Sequence, residues 1–262
     1  MKQRGESYLS FQIFTVFTAT VAVPVVLYVL LEHSYLKPDL YPEHYYTFMA
    51  SLFLALFVMW TWSYLSVCFA KSARCTDVQV GYSGGYCEKC KITRPDRAHH
   101  CSACGFCVAK MDHHCVWTNR CISYYNYKAF ILFVFYLSLG TLVYDYLALQ
   151  YMVSEKPPKN ALVKIFVFAL TIVALISTFL TISLLAGHIA MVLNNVSTIE
   201  YMKGKTLQIP CKEPDPSNYH NVGTVPNFLQ VFGKNPFLWL VPTQTEGSAQ
   251  FFPVVPPPHT ML

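Results

Sequence analysis

The sequence predicts an all-α polytopic membrane protein with four transmembrane helices and a cysteine-rich segment between the second and third. Three observations carry this. Of 262 residues, 54% are hydrophobic, 16% aromatic and only 13% charged, whereas soluble domains are roughly 25% charged. Four apolar runs are long enough to cross a hydrocarbon core, which takes about 20 residues as a helix. Seven of the ten cysteines fall between Cys87 and Cys121, a cluster that reads as metal or redox chemistry before it reads as a disulfide framework. A disordered chain and an ordinary water-soluble enzyme are excluded. The net charge of +5 is small, and no nucleic-acid partner is expected.

The apolar runs cover 9–31, 45–70, 129–153 and 161–193. The first carries Pro24, which kinks a helix by removing one backbone donor. Its apolar run exceeds the 7–15-residue core of a cleaved signal, and no small-x-small site follows it, so it reads as a span. The last exceeds what a bilayer requires and must tilt or extend into water. Fifteen of the 19 lysines and arginines lie in the two tails and the 71–128 loop, and four (Lys37, Lys156, Lys159, Lys164) lie in the short loops. Positive charge favours the cytosolic face. The expectation is a multi-pass integral membrane protein with both termini and the cysteine-rich loop in the cytosol, where thiols stay reduced. The expected domains are 1–70 (tail and helices 1–2), 71–128 (cysteine-rich zinc and catalytic domain), 129–193 (helices 3–4) and 194–262 (cytosolic C-terminal region).

The loop reads Cys87-x2-Cys90-x9-His100-Cys101-x2-Cys104-x2-Cys107-x4-Asp112-His113-His114-Cys115-x5-Cys121. A Cys-x2-Cys step puts two thiolates on one tight turn, as tetrahedral zinc needs, and Cys3His is a common structural set. The loop has little apolar core, so metal binding supplies its folding energy, about 10–16 kcal/mol per structural zinc. Two Cys3His sites consume six of the seven cysteines. The one left is Cys115, which alone follows an Asp-His-His run. A free thiol titrates near about 8.5. A neighbouring imidazole can take its proton, and a carboxylate can fix that imidazole's tautomer. Asp112, His113 and Cys115 supply those groups. His114 points the other way in an extended segment and is free to ligate. His99 and His100 both remain open as ligands. From spacing alone, a zinc module that only binds partners, or a RING-like ubiquitin ligase with two interleaved zincs, competes with an enzyme. Neither gives Asp112, His113 and Cys115 a task. No internal repeat or phosphate-binding glycine loop is read in the chain.

The run from Cys87 through Asp112-His113-His114-Cys115 to Cys121, Asn126 and Phe130 resembles the cysteine-rich domain of the DHHC protein S-acyltransferases. Ser197-Thr198-Ile199-Glu200 resembles that family's Thr-Thr-x-Glu motif, and Asn227-Phe228-Leu229-Gln230-Val231-Phe232-Gly233 its carboxy-terminal aromatic-and-Asn motif. The resemblance implies one zinc on Cys87, Cys90, His100 and Cys107 and a second on Cys101, Cys104, His114 and Cys121. It implies Cys115 as the nucleophile carrying an acyl thioester, His113 as its base, Asp112 as the orienting partner, Thr198 as a contact of that Asp, Asn227 as a supporting residue, and Trp117 against the acyl chain. The implied activity is transfer of a long-chain acyl group, mainly palmitoyl, from acyl-CoA to membrane-proximal protein cysteines. Departures are Val116 for the usual Pro after the nucleophile, Ile122-Ser123 for Val-Gly, Ser197 for the first Thr, and the lack of an Asp-Pro-Gly after the second span.

Burying an acyl chain contributes roughly 0.8 kcal/mol per CH2. The third span begins just after the loop, and Phe130, Phe133 and Leu137 share one helical face. Gly140 lies about 15 Å deeper than Phe130 at 1.5 Å per residue, and the missing side chain leaves room for C16 and C18 chains. Arg94, Arg97, Arg120 and Lys128 are candidates for the coenzyme A phosphates. Asp145 falls near the far interface, where solvation or a local hydrogen bond accounts for it. Residues 208–220 read as a linker. Phe228, Val231, Phe232, Phe237, Leu238, Trp239 and Leu240 form an apolar patch, and a flexible tail follows Thr243. Expected partners are substrate proteins, the lipid bilayer and, at the limit of the reading, an accessory subunit. The expected locations are the Golgi, the endoplasmic reticulum or the plasma membrane.

Overall fold

A computed structural model describes residues 43–71, 73–75, 83–153, 161–207 and 218–245. The first expected span, 9–31, lies outside them, as do 208–217 of the expected linker and the tail beyond 245.

Three long helices dominate: α1 (Glu43–Phe69), α2 (Tyr127–Met152) and α3 (Ala161–Asn194). All three are long and apolar enough to cross a membrane, and their ends fall within two residues of the predicted spans. At about 1.5 Å per residue the 34 residues of α3 run roughly 50 Å, well beyond the ~30 Å hydrocarbon core. Leucine, phenylalanine and valine surround these helices on all sides, with Phe48, Leu54, Phe166 and Phe179 exposed, which suits a helix solvated by lipid. Their hydroxyls bond to carbonyls four residues back. Thr171 donates to Val167, Ser177 to Val173, Thr181 to Ser177 and Ser183 to Phe179, each at 2.8 Å. No hydroxyl among these needs water.

The described residues form two compact units. Those up to Thr61 and from Phe133 to Leu185 make the first. Within it Trp60 stacks on Phe133 at 5.9 Å, and Asp145 accepts a 2.8 Å hydrogen bond from Thr178, the local bond expected for that acid. The second unit comprises Trp62–Leu132 and the described residues from Ala186 onward.

In the second unit the all-α expectation gives way to three β-hairpins: β1 (Ser83–Cys87) with β2 (Ile92–Pro95), β3 (His99–Cys101) with β4 (Phe106–Val108), and β5 (His113–Cys115) with β6 (Arg120–Ile122). They repeat every 14 residues, a period the sequence reading missed. Cys87, Cys101 and Cys115 each end the first strand and pair with Ile92, Phe106 and Arg120. Each turn closes on a left-handed residue, Lys91, Gly105 or Asn119. The hidden core is small: Ala73, Ala98, Val108, Ala109 and Met111 with the cysteines. Residues 73–75 run along β4, with Cys75 N–H donating to Cys107 O at 2.9 Å and Ala109 N–H to Ala73 O at 2.8 Å.

Two short helices follow α3. Helix α4 (Thr198–Met202) starts at a complete capping box: Ser197 caps it, and Glu200 reaches back to the Ser197 N–H at 2.8 Å. Helix α5 (Thr224–Phe232) ends at Gly233, whose φ of 81° suits glycine. Asn227 is buried and donates to Leu193 O at 2.8 Å and to Asn221 Oδ1 at 2.7 Å. The apolar patch is partly self-packed, with Phe228 stacked on Phe232 at 4.4 Å and edge-on to Trp239 at 4.9 Å. The end of the expected linker is an ordered contact. Asn218 donates to Asn194 O at 2.8 Å, and buried His220 bonds Asp96 at 2.9 Å.

Candidate active site and metal clusters

The hairpin repeat builds both metal clusters by one rule. A cluster takes the two cysteines in the turn of one hairpin and a cross-strand His/Cys pair from the next. His100 faces Cys107 across β3–β4, and His114 faces Cys121 across β5–β6. The donors of Cys87, Cys90, His100 and Cys107 lie within 4.8 Å of one another, as do those of Cys101, Cys104, His114 and Cys121, so both groups could hold a metal ion. His100 Nδ1 is 3.7, 3.2 and 3.9 Å from the sulfurs of Cys87, Cys90 and Cys107. His114 Nδ1 is 3.5, 3.5 and 3.6 Å from those of Cys101, Cys104 and Cys121. Tetrahedral zinc with bonds of about 2.0–2.3 Å sets neighbouring N and S donors roughly 3.5 Å apart, so the clusters fit zinc. Strand alternation settles the choice between His99 and His100. His99 pairs with Val108 and faces away from Cys107.

The third hairpin turn departs from the rule. Thr118 stands where the other two carry their second cysteine, and no fourth hairpin follows among the described residues to supply a His/Cys pair. Cys115 therefore keeps the geometry of a ligand turn and belongs to neither cluster. Val116 is exposed, and the hairpin keeps the register of the one before it.

Beside Cys115 lies an ordered chain of polar groups. His113 Nδ1 bonds Asp112 Oδ2 at 2.7 Å. Asp112 Oδ2 also accepts from the Thr198 hydroxyl at 2.7 Å, and Oδ1 accepts from the Thr198 N–H at 2.9 Å. Asp112 is 3% exposed and Cys115 likewise. Burial alone would raise the Asp112 carboxyl, but the hydrogen bond and charge of His113, with the Thr198 N–H, hold it below its usual range. Burial opposes charge on His113 as well, yet its hydrogen bonds to Asp112 and Cys115 raise it to about 9. Burial opposes the Cys115 thiolate, and the neighbouring His113, with the Thr118 turn, brings the thiol below its ordinary value. With Nδ1 committed to Asp112, His113 Nε2 is the atom that can exchange a proton with the sulfur. The arrangement can therefore form a nucleophilic thiolate beside an imidazolium.

His188, from α3, joins this group. Its ring centroid is 6.0 Å from that of His113, and its Nδ1 is 3.0 Å from the Tyr127 hydroxyl. Phe130 stands edge-on to both histidines at 5.1 Å. Sequence reasoning missed His188, although an ionisable residue inside an apolar helix is a usable signal. Donors of Asp112, His113 and His188 also cluster, but Nδ1 and Oδ2 at 2.7 Å share a proton and leave no room for an ion between them.

The remaining expected residues divide. Trp117 is half-exposed in the turn after Cys115. Phe130 lies against His113, whereas Phe133 and Gly140 belong to the other unit. Among the described residues, nothing lies within 4 Å of a Cβ placed on Gly140. Two of the four phosphate-binding candidates are committed inside the protein. Lys128 is buried and donates to Leu238 O and Thr243 Oγ1, both at 2.7 Å, and Arg97 is buried against Glu200 and Asn195. Arg120 donates to Ala70 O at 2.6 Å.

Apolar helices carrying two interleaved Cys3His clusters, with one unligated cysteine held beside a His–Asp pair, define a membrane protein with a thiol-based site. Residues 81–205 match the model of the DHHC palmitoyltransferase family. It is 38% identical over 181 residues to palmitoyltransferase ZDHHC15A of Danio rerio, covering 64% of this chain and 51% of that protein. It is 36% identical over 179 residues to probable protein S-acyltransferase 13 of Arabidopsis thaliana, covering 65% and 55%. It is 39% identical over 173 residues to palmitoyltransferase ZDHHC20-B of Danio rerio, covering 64% and 52%. The chain thus spans about half the length of the curated relatives it matches.

Proposed function

We propose that this chain is a protein S-acyltransferase that carries a long-chain acyl group, mainly palmitoyl, on Cys115 and passes it to a cysteine thiol of a membrane-proximal protein. The observation that carries the reading is Cys115 itself: a buried sulfur in a ligand-type turn, outside both clusters and two residues along the strand from a histidine whose Nδ1 is fixed by Asp112. In the first step the Cys115 thiolate attacks the carbonyl carbon of acyl-CoA. The carbon–sulfur bond to coenzyme A breaks, and the leaving thiolate takes the proton from His113 Nε2. In the second step His113 Nε2 accepts the proton of the acceptor thiol, whose sulfur attacks the Cys115 thioester and releases the Cys115 thiolate. Asp112 keeps His113 in the required tautomer throughout, and Thr198 holds Asp112. Cys87, Cys90, His100 and Cys107, and Cys101, Cys104, His114 and Cys121, would each hold a zinc ion that fixes the hairpins.

The same reading places four spans in the bilayer with both termini, the 71–128 region and the 194–262 region on the cytosolic side, following the distribution of lysine and arginine. The membrane is the Golgi, the endoplasmic reticulum or the plasma membrane. An accessory subunit is compatible with this reading. Trp117 and Phe130 in one unit, and Phe133 and Gly140 in the other, are each proposed as contacts of the acyl chain. Gly140→Phe is expected to shift chain preference from C16 towards C14 and shorter in competition assays with mixed acyl-CoAs. An unchanged chain-length profile would remove Gly140 from these contacts.

The test is kinetic. Without an acceptor, purified protein should release one equivalent of coenzyme A in a burst. With an acceptor peptide, initial-rate plots should show the parallel lines of a two-step exchange. No burst together with intersecting lines would instead support direct transfer within a ternary complex.

A further inference from the structure

A closed ring of hydrogen bonds connects Arg97 to the catalytic carboxylate, and its members are far apart in sequence. Arg97 Nη2 pairs with Glu200 Oε2, with side chains 2% and 10% exposed. The same carboxylate oxygen accepts the Ser197 N–H at 2.8 Å and so completes the α4 capping box. The next residue, Thr198, gives Asp112 both its N–H and its hydroxyl. On the return side, the Arg97 carbonyl accepts the N–H of Met111, the neighbour of Asp112, at 3.2 Å. A second arm fastens Arg97 to the end of α3: Nη1 donates to Asn195 Oδ1 at 2.9 Å and Nη2 to Asn195 O at 3.0 Å. Arg97 also holds a left-handed backbone, φ 59°, a conformation that is uncommon outside glycine.

From this ring we infer that Arg97 is a positioning residue for Asp112, acting through Glu200 and the Ser197–Thr198 cap, and not a contact for the acyl donor. The guanidinium suits the task because its planar fork reaches Glu200 and Asn195 together, whereas a lysine ammonium reaches one acceptor well. Breaking the ring frees the first turn of α4. Thr198 then drifts from Asp112, and His113 loses its orientation towards Cys115. The inference rests on the acyl-enzyme reading above.

The test measures single-turnover acylation of Cys115 by palmitoyl-CoA in the full chain in detergent, with zinc content recorded for each protein. The Arg97→Gln/Glu200→Gln double variant removes both buried charges together, and leaves neither unpaired. It should acylate about 100-fold more slowly while keeping its zinc, the loss that a displacement near 1 Å produces. Thr198→Val alone should lose about tenfold, and adding it to the double variant should cost less than about twofold more, because both changes act on one carboxylate. Arg97→Lys, which keeps one acceptor and loses the other, should lose about fivefold. Multiplying losses, or a double variant within about threefold of wild type, would overturn the inference. If the double variant sheds zinc, the Arg97→Lys and Thr198→Val cycle decides by the same criterion. Failure of the wild-type chain to acylate at all would instead refute the acyl-enzyme reading.

Discussion

Replacing Cys115 by serine is expected to take hydroxylamine-sensitive palmitate label on the purified chain to background. A serine hydroxyl in the same turn cannot become the anion that a thiol forms there, because a thiol is far more acidic than an alcohol and the neighbouring His113 lowers the Cys115 value further. Any residual oxyester on the substituted hydroxyl would also resist neutral hydroxylamine. The effect should run back along the polar chain. Asp112→Asn keeps the shape but removes the charge that fixes His113 Nδ1–H, and acylation should fall by about 10²–10⁴-fold, the range for a general base made ineffective. Gel fluorography with an alkynyl palmitate probe, before and after hydroxylamine, measures both. Undiminished thioester label on Cys115→Ser would relocate the nucleophile.

The second large effect falls on residues that never meet the acyl group. His114 stands between His113 and Cys115, and its Nδ1 faces three sulfurs. Among the described residues its Nε2 is buried without a hydrogen-bond partner, so the ring's polar engagement there is with the cluster. His114→Ala should lose one zinc per chain and free the β5–β6 hairpin. Acylation should drop by at least about 10²-fold although every reacting group remains. His99→Ala is the control. His99 sits on the opposite face of its strand, paired with Val108, and its loss should leave both zincs in place and acylation within about threefold of wild type. Elemental analysis alongside acylation rates checks the pair. Equal zinc loss in the two variants would contradict the assignment of strand faces.

Three of the four expected spans were legible as helices because a bilayer demands about 20 apolar residues, and sequence and structure agree on α1, α2 and α3 to within two residues; the first expected span lies outside the described residues. That one cysteine of the seven is left over was legible from the count, since seven thiols cannot fill two Cys3His sites, and the Asp-His-His run before it pointed to Cys115, which stands outside both clusters. The metal partners were not legible from spacing alone. His99 and His100 differ by one position, and only the pairing of His100 with Cys107 separates them. The 14-residue repeat escaped notice because its strands are three to five residues long and share little beyond cysteine, histidine and a left-handed turn residue. Arg97 and Lys128 looked like phosphate contacts because surface exposure is the default for basic residues. Their partners lie 103 and 110 residues away at Glu200 and Leu238, and no local pattern announces a contact of that range. The ordering of Asn218 and His220 was hidden for the same reason.

The account's central claim is that the Cys115 sulfur lies outside both metal clusters and carries the acyl group. Native mass spectrometry of the chain purified with palmitoyl-CoA, followed by peptide mapping, reads both properties from one sample. The account predicts two zinc ions and one palmitoyl thioester located on Cys115. A third zinc that blocks alkylation of Cys115, or an acyl group mapped to another cysteine while Cys115 stays unmodified, would contradict it.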